Sequence, residues 1–160
     1  MRTRTRIEVM HGVNLDQLGR RNPEHYGGIN FDRLEQRILE FARELGLTTH
    51  FFQTNSESEF VEHLHRIHEM SDGIVVNPGA WTHYSYAIRD AIEAAMVPVI
   101  ETHISNVHAR EEFRHHSVIS PIARGIIVGF GVAGYSLAIR GLYELHEAEV
   151  SKNLKPGVRT

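Results

Sequence analysis

The chain of 160 residues contains no cysteine, which excludes disulfide bonds, thiolate nucleophiles and cysteine-based zinc sites. Lysine is nearly absent too, because only Lys152 and Lys155 among the 17 basic residues are lysines, and both lie near the C-terminus. Schiff-base catalysis needs a lysine that a pocket can desolvate, and none precedes residue 152. An anion held inside this fold must therefore be bound by arginine, histidine or backbone amides.

Long apolar runs are missing as well. No run approaches the roughly 18 residues of a transmembrane helix, so none is predicted. Residues 1–6 are rich in arginine, but no apolar segment follows them, which predicts that there is no signal peptide. The net charge is −3 without a long basic run, so nucleic acid is not an expected partner. We therefore expect a cytoplasmic protein with neither a membrane nor a nucleic-acid partner.

Strand-like and helix-like segments alternate five times along the chain. Apolar runs predict strands at residues 7–10, 48–52, 74–76, 99–100 and 125–128. Helical spacing predicts four helices, at residues 31–45, about 56–70, about 82–96 and about 134–149. This alternation predicts an α/β fold with a flavodoxin-like, doubly wound, five-stranded parallel sheet of order 2-1-3-4-5. Residues 1–150 would form a single domain, and residues 151–160 a frayed tail.

Two of these helices have capping signals at their starts. Thr82 follows the turn residues of 77–79 and is predicted to be the N-cap of the third helix. Ser56 precedes Glu59 by three residues, which is the spacing of a capping box for the second helix.

Polar side chains follow three of the predicted strands. In the predicted order, strands 1, 3 and 4 are neighbours, so their carboxyl ends bring Asn14, Asn77 and the pair Glu101 and His103 to one crevice. Because the strand order reverses between strands 1 and 3, Asn14 and Asn77 are expected to flank a ligand.

The pair Glu101 and His103 lies on one face of the fourth strand, since alternate residues of a strand share a face. A carboxylate beside an imidazole fixes the orientation of the ring. A histidine satisfied in this way is often purely structural, and the local pattern leaves both interpretations open. Convergence with the other strand ends favours a functional one.

Residues 16–28 form a segment longer than the about 2–6 residues of a typical strand-to-helix turn, which makes it a lid candidate. It carries Arg21 and Tyr26. A loop tyrosine is usually a packing anchor. A tyrosine acting as a general base near neutral pH needs about 4 kcal/mol of stabilisation of its phenolate, because the free phenol has a pKa of about 10. Arg21, Arg110 and Arg114 could supply it, although the last two could equally form a solvated helix face.

Two further patterns are weaker. Residues 129–134 match the dinucleotide fingerprint G-x-G-x-x-G, but that interpretation needs a following strand with an acidic residue, and only one helix is predicted to follow. A tight turn with close helix–sheet packing is expected instead.

His63, His65 and His68 crowd one helix without a completing carboxylate or cysteine pattern, so we predict a solvated helix face and no metal site.

Several separated motifs between about residue 7 and residue 143 occur together. They are Gly12-x-Asn14-Leu15-x-x-Leu18-Gly19-x-Arg21-x-Pro23-x-x-Tyr26-Gly27, Gln53-Thr54-Asn55 with Glu57, Asn77-Pro78-Gly79-Ala80 with Thr82-His83 and Arg89-Asp90, and Pro98-Val99-Ile100-Glu101-x-His103-Ile104-Ser105-Asn106 through Arg110-Glu111-x-Phe113-Arg114. The sequence thereby resembles the type II 3-dehydroquinate dehydratases over nearly its whole length.

The resemblance implies a flavodoxin-like subunit of a homododecamer, arranged as a tetramer of trimers. It implies anti elimination of water from 3-dehydroquinate, giving 3-dehydroshikimate through an enolate and without a cofactor or metal. The missing pocket lysine agrees, since it closes the Schiff-base route of the unrelated type I enzymes. This step serves the shikimate pathway of aromatic biosynthesis or the breakdown of quinate, and the sequence leaves both open.

The resemblance also assigns roles to individual residues. Tyr26 would be the base that removes the C2 proton, with its phenolate favoured by Arg21. Asn14 would position the water that stabilises the enolate. His103, supported by Glu101, would be the acid that protonates the departing hydroxyl. The remaining positions would bind the hydroxyls and carboxylate of the substrate or, for Asp90, reach the site of a neighbouring subunit: Asn77, His83, Ile104, Ser105, Arg114 and Asp90.

Some positions depart from the family pattern without removing a predicted catalytic group. Val13 replaces a usual proline before Asn14, and Trp81 is bulky for its place. The others are Asp16, Ser56, Arg124 and Ala133. The competing hypothesis is a non-catalytic flavodoxin-like paralogue that binds a cyclic hydroxy acid. The intact Tyr26 and His103 argue against it, because binding alone does not require a matched acid and base.

Overall fold

A computed structural model describes residues 5–154 and contains one sheet of five parallel strands. The strand order β2-β1-β3-β4-β5 confirms the predicted topology. Each strand begins and ends within three residues of its prediction, and the fifth coincides with it. The strands are β1 (Arg6–His11), β2 (Thr48–Gln53), β3 (Gly73–Asn77), β4 (Val99–His103) and β5 (Gly125–Val128).

Within residues 5–154, six α-helices cover the two faces of the sheet or lie in its loops. They are α1 (Pro23–Tyr26), α2 (Phe31–Glu44), α3 (Glu57–His65), α4 (Ile67–Met70), α5 (Tyr86–Ala94) and α6 (Ala133–Leu154). On one face, Val75 packs with the apolar residues of α2 and α6, and on the other Ile74 and Val76 pack with those of α3 and α5. All of β3 is buried, as expected for a central strand covered on both sides.

The prediction that Thr82 caps a helix is wrong. Ser85 is the N-cap of α5, and its hydroxyl accepts a hydrogen bond from the Ile88 amide at 3.1 Å. Thr82 lies in a preceding 3-10 helix, Gly79–His83, and donates its hydroxyl proton to Glu101. A buried carboxylate on β4 thus determines the role of this threonine, which a local capping signal cannot reveal.

The second predicted helix also differs in detail. It divides at Arg66 into α3 and α4. Ser56 does cap α3, accepting from the Glu59 amide at 3.4 Å, but the reciprocal half of the capping box is absent. The Glu59 carboxylate accepts from Thr54, and the Ser56 amide donates to the same threonine hydroxyl at 3.0 Å.

The last helix is longer than predicted, since α6 continues to Leu154 instead of ending at Glu149. It therefore includes the first four residues of the predicted frayed tail, and the rest of that tail lies outside the described residues. Within residues 5–154, no helix has both the length and the apolar character needed to cross a membrane.

Glycines bring the carboxyl ends of β1 and β3 together. A Cβ on Gly12 would lie 2.2 Å from the carbonyl oxygen of Pro78, so only glycine permits this approach of the two turns. The glycines of 129–134 act in the predicted way, as a turn between β5 and α6. Gly129 has a φ of 85°, and a Cβ on Gly134 would lie 3.0 Å from the Thr102 hydroxyl.

The predicted solvated face of three histidines is wrong for one member. His65 and His68 are exposed, whereas His63 is buried. The His63 ring stacks on Phe52 with 3.9 Å between ring centroids, and its Nε2 lies 2.7 Å from Glu8 Oε1. Because Glu8 is 55 positions away on β1, nothing in the local pattern distinguishes His63 from its neighbours.

Candidate active site

A cavity opens at the carboxyl edge of the sheet, where the turns after β1, β3 and β4 meet residues of the predicted lid. Nine of the eleven predicted site residues line it. They are Asn14, Arg21, Tyr26, Asn77, His83, His103, Ile104, Ser105 and Arg114. Of the other two, Glu101 lies behind His103, and Asp90 is exposed on α5 outside the cavity. The role of Asp90 in a neighbouring subunit stays a prediction.

The pair at the end of β4 has the predicted geometry. His103 Nε2 lies 2.7 Å from Glu101 Oε1, and the carboxylate is fully buried. Because a carboxylate accepts only, this bond places a proton on Nε2 and leaves Nδ1 as the nitrogen available to a ligand. The glutamate therefore fixes both the orientation and the tautomer of the ring.

Three hydroxyls surround the same carboxylate, from Thr82, Ser117 and Ser120. Ser117 lies 3.1 Å from Glu101 Oε1, and Ser120 donates to Oε2 at 2.5 Å. Burial raises the pKa of Glu101, but the hydrogen bond and charge of His103, together with the hydroxyls of Ser120 and Thr82, lower it below its ordinary value. Glu101 is thus held as a carboxylate.

The sequence analysis predicted no contact between these three hydroxyls and Glu101. Ser117 and Ser120 lie in the loop before β5, where serines carry no distinguishing pattern. The sequence feature that could have indicated these hydroxyls is Glu101, because a carboxylate buried in a strand needs hydrogen-bond donors beyond a single imidazole.

The tyrosine of the lid is buried, and two arginines contact it in different ways. The Arg21 guanidinium carbon lies 4.0 Å from the centroid of the Tyr26 ring, in a cation–π contact. Arg110 Nη1 donates to Tyr26 Oη at 2.9 Å and also to Ser105 Oγ at 3.2 Å. The sequence left open whether Arg110 contacts Tyr26 or lies on a solvated helix face, and it assigned Arg110 no role in the site. Its side chain is only 11% exposed.

The cavity carries an excess of positive charge. Burial lowers the pKa of Arg21, Tyr26 partly offsets this, and the charges of Arg110 and Arg114 lower it further. Arg114 is itself held by the Glu111 carboxylate at 2.8 Å. Three guanidinium groups so close together favour an anionic ligand.

His83 lies at the mouth of the cavity in a fixed orientation. Its Nδ1 is 2.7 Å from the backbone carbonyl of His116, so Nδ1 carries a proton and Nε2 is left for a ligand. Burial lowers the pKa of His83; the carbonyl bond opposes this, and the nearby His103 and Arg114 add to it. The ring meets Phe113 edge to face at 5.7 Å.

The two asparagines flank the gap between β1 and β3, as predicted. Asn14 has a left-handed backbone with φ 67°, a conformation that asparagine tolerates better than most residues. Its amide donates to Asn55 Oδ1 at 2.7 Å, which fixes the turn although Val13 stands before it. Asn77 is buried, with its Nδ2 donating to Tyr135 Oη at 3.0 Å.

Among residues 5–154, no group of three histidine or acidic side chains is arranged to hold a metal ion. The polar groups of the cavity include a tyrosine beside two arginines, a histidine oriented by a carboxylate, and amides.

Comparison with known proteins places this geometry in a family. Residues 5–143 match the family model described as dehydroquinase class II. The chain belongs to the class II dehydroquinase family. A 3-dehydroquinate dehydratase of Pelobacter propionicus is 51% identical over 144 residues, covering 89% of this chain and 97% of that protein. One from Bacillus licheniformis is 53% identical over 133 residues, covering 83% and 92% respectively.

Solved structures of class II dehydroquinases agree. The type II dehydroquinase of Butyrivibrio crossotus matches with a TM-score of 0.84 at 44% identity, covering 86% of this chain and 97% of that one. That of Propionibacterium acnes matches with a TM-score of 0.83 at 46% identity, covering 88% and 97%.

Proposed function

We propose that this class II dehydroquinase eliminates water from 3-dehydroquinate to give 3-dehydroshikimate, as a hydro-lyase that needs no cofactor. One observation carries the proposal: a tyrosine beside two arginines and a histidine oriented by a carboxylate face one cationic cavity. The substrate is a carboxylate with several hydroxyls, which suits guanidinium, amide and imidazole donors. Membership of the family and relatives named for this activity support it.

In the proposed reaction, Tyr26 takes the proton from C2 of the substrate, and the electron pair moves onto the ketone as an enolate. The guanidinium groups of Arg21 and Arg110 bring positive charge to the ring and the oxygen of Tyr26, and we propose that these contacts support its role as the base. Arg110 donates directly to the phenol oxygen, so we assign it the larger share of this role. Arg21 contributes through the face of the ring.

The enolate then collapses with loss of the hydroxyl. In this step His103 enters as the imidazolium, with its Nε2–H bonded to Glu101; it gives its Nδ1 proton to that hydroxyl, which departs as water, and the ring is left neutral with its proton on Nε2. Asn14 holds the water that stabilises the enolate oxygen. The carboxylate and remaining hydroxyls are bound by the other residues of the cavity, namely Asn77, His83, Arg114 and the backbone at Ile104 and Ser105.

The test is to mix the protein with 3-dehydroquinate, without added metal or cofactor, and to follow the ultraviolet absorbance of the conjugated product. We expect turnover that survives a chelator and borohydride, because neither a metal nor a Schiff base takes part. The variant Tyr26→Phe should bind substrate but lose turnover by orders of magnitude. Binding without turnover by the wild-type protein would instead support the non-catalytic paralogue.

We further propose that the chain assembles as a dodecamer in the cytoplasm. Exposed apolar side chains at both ends of α5 support an interface there, since Tyr84, Tyr86 and Met96 are 58%, 62% and 89% exposed. Asp90 lies on the same helix, where it would reach the neighbouring site. Light scattering should give a mass of about 220 kDa, twelve times 18.2 kDa. A monomer with full activity would contradict both the assembly and the role of Asp90.

A further inference from the structure

A buried polar cluster lies directly beneath the cavity. It consists of His11 at the end of β1, Asn77 at the end of β3 and Tyr135 in α6. His11 and Tyr135 are completely buried and do not line the cavity, whereas Asn77 does. Tyr135 Oη lies 3.0 Å from Asn77 Nδ2 and 3.2 Å from His11 Nδ1, so the hydroxyl bridges the other two side chains.

The directions of these hydrogen bonds follow from what each atom can do. Gly79 donates its amide to Asn77 Oδ1 at 3.2 Å, which identifies the oxygen of the side-chain amide. The nitrogen can only donate, so the Tyr135 oxygen accepts from it. The hydroxyl proton then needs an acceptor, which His11 Nδ1 provides. The proton of the imidazole must therefore be on Nε2.

The surroundings keep all three groups neutral and in place. Burial lowers the pKa of His11 to about 3 and raises that of Tyr135, so neither ionises near neutral pH. The His11 ring is held edge to face by Phe31 at 4.9 Å and parallel to Phe51 at 6.4 Å. Its Nε2 lies 3.5 Å from Glu35 Oε1, too far for a good hydrogen bond.

Both ends of the Asn77 amide are thus fixed from inside the protein. One N–H is directed to Tyr135, and one lone pair of Oδ1 accepts from Gly79. The second N–H and the second lone pair remain for a ligand in the cavity. A rotated amide would lose the bond from the Gly79 amide and would place its oxygen against the Tyr135 oxygen, whose proton is directed to His11.

We propose that Tyr135, backed by His11, is a positioning residue that holds the Asn77 amide in the orientation that binds a substrate hydroxyl. This inference rests on the proposed function, because it assigns Asn77 to the binding of 3-dehydroquinate. Tyr135 acts through Asn77 and does not touch the ligand.

A second buried cluster on the opposite face of the sheet offers a matched control. There, Glu8 accepts from Ser71 Oγ at 3.0 Å and pairs with His63 at 2.7 Å. It is equally buried and polar, but none of its members lines the cavity. Loss of one hydroxyl in this cluster perturbs folding without reaching the substrate.

The test compares Tyr135→Phe, which removes only a hydroxyl, with Ser71→Ala in steady-state assays on 3-dehydroquinate. We expect KM to rise roughly tenfold in Tyr135→Phe with a smaller change in kcat, because a binding contact made in both ground and transition states is weakened. Ser71→Ala should lower the thermal midpoint but keep the wild-type KM. Equal KM values for Tyr135→Phe and the wild type would overturn the inference.

A double-mutant cycle separates positioning from general damage. In the background of Asn77→Ala, the change Tyr135→Phe should have no further effect on KM, because the residue that it positions is gone. Additive effects would overturn the inference. His11→Gln keeps an acceptor for the Tyr135 proton and should raise KM less than His11→Leu does. An inactive wild-type protein would refute the proposed function itself, whereas an active one with additive effects refutes only the positioning role.

Discussion

The burial of His11 makes a prediction about how stability depends on pH. The imidazole is neutral in the folded protein, with its pKa lowered by burial from 6.5 to about 3. In the unfolded chain it takes up a proton as the pH falls below about 6.5. Between these two values the unfolded state binds one more proton than the folded state does, so acid favours unfolding.

The size of the effect follows from the two pKa values. Each pH unit within that window changes the free energy of unfolding by about 1.4 kcal/mol. Lowering the pH from 7 to 5 should therefore cost about 2 kcal/mol through His11 alone. The contribution of the neutral His11 to the free energy of unfolding is fully present above pH 6.5 and is lost as the pH falls toward 3.

The measurement is urea unfolding at pH 7 and pH 5, at one protein concentration, for the wild type and for His11→Gln. The substituted side chain is of similar size and does not titrate, so the variant should lose about 2 kcal/mol less than the wild type over this range. Glu35 faces His11 and has a pKa raised first by burial and then by Asp32, which gives the opposite slope. It is present in both proteins, so its effect cancels in the comparison.

The control is Tyr135→Phe, which disrupts the same cluster but keeps the titrating imidazole. It should be less stable than the wild type at both pH values, with an unchanged dependence on pH. If the wild type and His11→Gln lost equal stability between pH 7 and pH 5, His11 would not be a buried neutral imidazole. The bond directions derived for the cluster would then fail as well.

Two further predictions concern the catalytic pairs. Arg110→Gln should lower kcat by about 10²–10³-fold in steady-state assays, because it removes a charged donor from the Tyr26 oxygen. Arg110→Lys should recover only part of the lost kcat, because one ammonium group cannot reproduce the planar guanidinium that contacts both Tyr26 and Ser105. Glu101→Gln should lower the free energy of unfolding most at neutral pH. The lowered pKa of Glu101 provides stability that is present above pH 4.5 and is lost as the pH falls through the pKa of the folded state. The difference in free energy of unfolding between the variant and the wild type should therefore shrink in acid. A difference that stays constant with pH would contradict this prediction.

The sequence predicts well those features that depend on short patterns recurring along the chain. Apolar runs located all five strands of the described residues, and the short fifth strand coincides with its prediction. The same rule placed Asn14, Asn77 and His103 at one cavity, because the carboxyl ends of parallel strands share an edge. These inferences require only the strand order, which a doubly wound sheet restricts to a few possibilities.

The features that it missed depend on partners distant in the chain. Thr82 has the sequence of a helix cap, yet its hydroxyl serves a carboxylate 19 residues later. His63 shares a helix with two exposed histidines but meets Glu8, 55 residues earlier. Arg110, for which the sequence left two interpretations open, reaches Tyr26 across 84 residues. Periodicity fixes which residues share a face, but it does not identify what that face packs against.

The two buried pairs of glutamate and histidine show why chemistry alone does not identify a site. Glu8 with His63 and Glu101 with His103 have the same separation of 2.7 Å and similar burial. His63 lies on a helix and stacks on Phe52, which closes off one face of the ring. His103 ends a strand at the carboxyl edge of the sheet, where the turn beyond it opens a cavity. The position of His103 at a strand end therefore makes it a candidate acid, whereas the pair of Glu8 and His63 is an internal structural contact.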